Sequence, residues 1–125
     1  MKTTTHTLRP TYSSHTYVVD VTPKQSIRVR STQPRYVPEN GKTAIKMVEM
    51  DRTFKPGDLA EYGSYNLSYF GRITSIGPKT VTIVDYEGSS MEKTYRLSLE
   101  RFAVRNVDFD ADKAKTHNDE ELLYI

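Results

Sequence analysis

The chain contains no cysteine, which removes disulfide frameworks, thiolate nucleophiles and cysteine-based zinc sites together. It also lacks any apolar run near the ~20 residues that a bilayer-spanning helix needs. The opening stretch, MKTTTHTLRP, carries a lysine with no apolar segment behind it, so it does not read as a signal peptide, and a cytosolic setting is expected. Histidine is scarce: His6, His15 and His117 stand alone, with no spacing suited to metal ligation. Apolar residues make up only 36% of the 125, a low share that points to a thin core. Nine tyrosines and four phenylalanines offset the shortage, because each aromatic ring buries a large area.

Charge is present in both signs but unevenly placed. Residues 1–56 hold ten Lys/Arg against four Asp/Glu, residues 57–109 hold six against seven, and residues 110–125 hold two against five. A basic first half and an acidic tail suggest an anionic partner for the first half, or pairing between the two.

Alternation dominates the pattern. Tyr17, Val19 and Val21 fall on one face of a strand, and Ile27 and Val29 on one face of a second, joined by a turn over Thr22–Gln25. Residues 1–15, rich in Thr and Ser, show no period. Residues 31–41 carry two prolines and an Asn-Gly pair and read as a loop. Residues 43–50 fit either a strand or a helix, and their surroundings favour a strand. From Phe54 onward the pattern is clearer. Lys55-Pro56-Gly57-Asp58 turns into the strand DLAEY, and a Tyr-rich loop follows. FGRITSI, KTVTIVDY and KTYRLSL are then hairpin-linked strands, with Val81, Ile83, Tyr95, Leu97 and Leu99 facing inward. Glu100–Phe102 suits one helical turn, residues 103–106 a last short strand, and residues 108–115 a short capped helix.

The expected architecture is mainly β: a basic arm and hairpin over 1–53, a small barrel over 54–107, and an acidic helix or tail over 108–125. The order of parts in Lys55–Tyr62, Phe70–Ile76, Lys79–Tyr86 and Thr94–Val104 resembles the SH3-like β-barrel of KOW and Tudor-type modules. The stretch EYGSYNLSYFGRITSIGPKTVTI is also similar to small proteins encoded by bacteriophages and mobile elements. These resemblances imply a binding role in a bacterial cytoplasm, toward nucleic acid, a nucleic-acid-handling complex or another protein.

Catalytic patterns fail on inspection. Gly41-Lys42-Thr43 echoes a phosphate-binding loop, but the glycine required five residues earlier is Tyr36. Asp108, Asp110, Asp112 and Asp119 echo a calcium loop, yet Lys113 occupies the glycine position. Ser64, Ser68, Ser89 and Ser90 have no elbow and no base. No cofactor, metal or catalytic residue is expected. Gly63 and Gly71 read as turn and bulge glycines.

Two binding surfaces remain. Tyr62, Tyr65, Asn66, Tyr69 and Arg72 crowd one loop, where exposed rings beside a guanidinium can stack on bases or hold peptide side chains. Alternatively, the rings merely cap the barrel end. Arg28, Arg30, Arg35, Lys42 and Lys46 form a second, basic set suited to phosphates, or a solvated face. Three roles fit: nucleic-acid association, inhibition of a bacterial defence complex by protein binding, and virion assembly with subunits joined through strand edges, a homo-oligomer.

Overall fold

The computed structural model describes residues 2–63 and 69–109. Among the described residues it is mainly β, with eight strands in two antiparallel four-stranded sheets and one helix. The first sheet has the order β1 (Thr4–Leu8), β2 (Tyr17–Thr22), β3 (Ser26–Glu39), β4 (Lys42–Phe54). In β2 (Tyr17–Thr22) and the start of β3 (Ser26–Glu39), the expected alternation holds: Tyr17, Val19, Val21, Ile27 and Val29 are all buried. The Thr/Ser-rich opening is not without period. Thr4–Leu8 forms β1 along β2, with Thr5 Oγ1 donating to Asp20 Oδ1 at 2.7 Å, as suits β-branched residues on a sheet edge.

Residues 31–41 are not a loop. β3 continues to Glu39, turns through Asn40 (φ 51°) and Gly41 (φ 77°), and returns as β4 (Lys42–Phe54). Two successive positive φ values are the signature of a type I′ turn, whose twist matches the flanking strands and which favours Asn-Gly. β2 pairs with β3 only as far as Arg30. Past that point β3 and β4 run on as a two-stranded arm, roughly 25 Å long at the usual rise per residue. Pro34 and Pro38 are tolerated because, among the described residues, β3 has no second neighbour there, and an edge accepts a missing N–H.

The second sheet is a meander of β5 (Leu59–Glu61), β6 (Phe70–Ile76), β7 (Thr80–Asp85) and β8 (Lys93–Ser98). Gly71 is not a bulge glycine, since the irregularity falls between Ile73 and Ser75. It permits a close crossing instead: a Cβ there would lie 2.7 Å from both Ile83 Cγ2 and the Val84 carbonyl. The expected turn at 100–102 and strand at 103–106 are one helix, α1 (Leu99–Asn106). Ser98 caps it, its Oγ accepting from Arg101 N at 3.3 Å, while Glu100 in the first turn and Arg105 in the last suit its dipole. Leu99, Phe102, Ala103 and Asn106, spaced by three, four and seven, are all buried. Leu99 is thus inward, as expected, but from a helix.

The second sheet does not close into a barrel. Among the described residues no pairing joins β5 to β8. α1 packs on β5, β7 and β8 and also reaches β2 of the first sheet. Val19, Val21, Ile27 and Val29 share one core with Ile73, Val81, Ile83, Leu97 and Phe102. Residue 54 therefore separates two sheets, not two cores. The expected helix or tail over 108–125 lies outside the described residues beyond Phe109.

Candidate functional site

The unbroken β3–β4 register decides which side chains share a face. Tyr36 lies opposite Ile45, and Pro34 opposite Met47. These residues occupy the face of the arm turned away from the buried row that holds Ile27, Val29, Ser31 and Gln33. Tyr36 is 76% exposed, Ile45 64% and Met47 66%, so two facing pairs form one apolar patch in water. Side chains of this size and exposure present roughly 400 Å² together, comparable to the largest patch on an ordinary monomer.

Toward the base of the arm the same face becomes ionic and balanced. Arg28 donates from Nε and Nη2 to the two oxygens of Asp51 at 2.9 and 2.6 Å. Arg30 Nη2 donates to Asp20 Oδ2 at 2.7 Å. The Arg28 hydrogen bond holds the Asp51 carboxyl below its usual range, so the pair stays charged and mutually satisfied.

The five basic residues do not form one stripe. Arg28 and Arg30 share the outer face, whereas Arg35 and Lys46 lie on the other face, and Lys42 sits at the turn opposite Glu39. Arg35 is paired with Asp108, the first member of the calcium-loop echo, and Lys46 with Glu39 at 3.0 Å. Four of the five thus already have a carboxylate. Gly41-Lys42-Thr43 is a hairpin turn leading into a strand, which cannot supply the helix start of a phosphate loop.

The two described tyrosines of the loop, Tyr62 and Tyr69, are turned inward. Tyr62 is buried and donates its hydroxyl to Asp85 Oδ2. Asp85 Oδ1 accepts in turn from the Tyr86 amide at 2.9 Å. The Tyr62 ring stacks on Tyr95 at 4.2 Å and on half-buried Tyr69 at 5.7 Å, both at 16°. Burial, and then the hydrogen bond to Asp85, push the Tyr62 phenol well above its ordinary value. Arg72 Nη1 donates to the Gly57 carbonyl at 2.6 Å. Tyr65 and Asn66 lie outside the described residues. Close by, fully buried Asn106 mimics a strand neighbour. Its Oδ1 accepts from Glu61 N at 2.7 Å, and its Nδ2 donates to the Glu61 and Phe102 carbonyls at 2.9 and 3.0 Å.

No family model, curated protein or solved structure matches the chain. A groove of about 690 Å³ between Tyr12 and α1 is lined by Arg101, Arg105, Glu61 and Asp108. Its mixed charges select neither anions nor cations. Among the described residues no three His, Asp or Glu side chains gather as metal ligands, and no helix is long and apolar enough to cross a membrane. The residues that sequence reasoning missed are Pro34, Tyr36, Ile45 and Met47. Their signal was the spacing Pro34-x-Tyr36-x-Pro38 before Asn-Gly, which is an alternation ending in a hairpin turn.

Proposed function

We propose that this chain is a non-enzymatic protein-binding module that makes its contact through the outer face of the β3–β4 arm. The observation carrying this is the exposed cross-strand pairs Tyr36–Ile45 and Pro34–Met47. Rigid aromatic and large apolar side chains of this kind dominate protein interfaces, and paired charges around them add specificity more than affinity. Nucleic-acid association has less support, because four of the five cations expected to meet phosphates are engaged with Asp20, Asp51, Glu39 and Asp108. The open second sheet with α1 serves as an SH3-like scaffold in this reading. The phage-like stretch favours assembly of a mobile element's particle, or a block on a bacterial host's defence complex, in the cytoplasm.

The test is affinity capture from bacterial lysate, with and without nuclease, using the wild type and a Tyr36→Ser/Ile45→Ser/Met47→Ser variant. The expected result is a nuclease-resistant protein complex that the variant loses while keeping its circular dichroism. Capture that vanishes with nuclease, or survives in the variant, refutes the reading.

A further inference from the structure

Resting on that reading, we propose that the partner on the arm is a second copy of this chain. The two copies add edge to edge along β4, antiparallel about a two-fold axis, with Ile45 facing its own counterpart.

The edges of the arm are unequal. On the β3 side, Pro34 and Pro38 remove donors at two positions four residues apart, and β2 covers the base. That edge is blocked against strand addition. The β4 edge carries no proline from Lys42 to Phe54 and pairs only with β3 among the described residues. Any strand added to the arm therefore comes through β4.

The β4 sequence then chooses the occupant and the register. A two-fold antiparallel pair keeps both outer faces on one side only if even residues meet even and odd meet odd. Centring the axis on Lys46 or Glu49 puts like charges directly opposite, and centring it on Ala44 sets Lys46 against Lys42. Centring on Met47 sets Ile45 against Glu49 and Lys42 against Arg52, and centring on Val48 sets Ile45 against Asp51. Centring on Ile45 avoids all of these. Met47 then meets Thr43, Lys46 meets Ala44, and Lys42 meets Val48, with no like charges opposite. Tyr36, which faces Ile45 within each copy, flanks the axis from both sides, so the two apolar patches merge. Edge pairing leaves the merged outer faces in water and buries only the flanks of facing side chains, so the area lost is well below a standard interface and the paired backbones carry most of the contact. A contact this small implies a weak dimer whose population rises with protein concentration.

Because the chain has no cysteine, a single introduced thiol reports on one contact. Directly facing residues lie about 4.5–5.5 Å apart, within disulfide reach. Ile45→Cys is expected to form a covalent dimer on mild oxidation. Met47→Cys is not, since its counterpart lies four residues away along the ladder, roughly 13 Å. Sedimentation velocity should show a wild-type dimer growing with protein concentration and a monomer for the exposed substitution Ile45→Lys. A strict monomer at several hundred micromolar overturns the inference, as does cross-linking of Met47→Cys equal to that of Ile45→Cys. The two failures separate cleanly. A monomer whose protein capture still depends on Tyr36, Ile45 and Met47 sinks the second copy and leaves the binding reading standing. Capture that ignores those residues sinks the binding reading itself.

Discussion

Replacing Tyr62 by Phe removes one oxygen and leaves the ring between Tyr69 and Tyr95. A ligand-stacking role and a structural role for Tyr62 predict opposite outcomes for this change. The hydroxyl donates to Asp85, which is only 7% exposed and keeps a second donor in the Tyr86 amide. A hydrogen bond to a charged acceptor contributes about 1.5–3 kcal/mol, and the surviving amide places the loss in the lower half, about 1.5–2 kcal/mol. For a chain of this size that lowers Tm by about 5–8 °C. The effect also has a signature in pH. The folded protein holds the Tyr62 proton above the ordinary phenol value of 10.0, so the stabilisation is complete below that pH. It is lost progressively as pH rises past it, because the unfolded chain ionises first, at about 1.4 kcal/mol per pH unit for one proton. Urea titrations of both proteins between pH 7 and 11 should therefore converge at the alkaline end. Equal stability at pH 7, or parallel decline above pH 10, refutes the assigned role of this bond. Partner capture should be unaffected by the substitution.

Asn106→Leu strips Glu61 of both backbone partners and should cost about 2–4 kcal/mol in urea, with loss of amide protection at Glu61. Gly71→Ala drives a methyl group against the Val84 carbonyl, a backbone atom that cannot step aside, and should cost about 2 kcal/mol or more. Gly41→Ala meets nothing within 4 Å and pays only for its positive φ, about 1 kcal/mol, as denaturant midpoints should show. Asp20→Asn/Asp51→Asn frees Arg30 and Arg28 of their carboxylates; anisotropy with single-stranded DNA at low salt should show a gain in affinity, and a salt slope steeper by about two.

Much of the strand pattern was legible because period-two burial is written directly into the chain. Tyr17, Val19, Val21, Ile27, Val29, Val81, Ile83 and Leu97 all point where alternation places them. Residues 31–41 read as a loop because proline favours loops, and whether a proline sits on an edge depends on where β2 ends, which no local rule reveals. The helix was hidden by the alternating run before it, although Leu99, Phe102, Ala103 and Asn106 carry a helical period. The site was harder still. Each arginine looked like a free cation, and only the fold brings Asp20, Asp51 and Asp108 to them from elsewhere in the chain. Tyr62 reads as part of a platform because neither Asp85 nor Tyr95 is near it in sequence.

The β3–β4 ladder runs from Ile27–Phe54 in the interior to Glu39–Lys42 at the turn without a slipped pair. No register shift separates the outer end of the arm from the body. A pull applied at Tyr36 or Ile45 loads the hydrogen bonds of that ladder in shear and is felt at Phe54, which packs edge-on against Phe102. The outer end is thus continuous with the body through one ladder, as a handle forged in one piece with its blade.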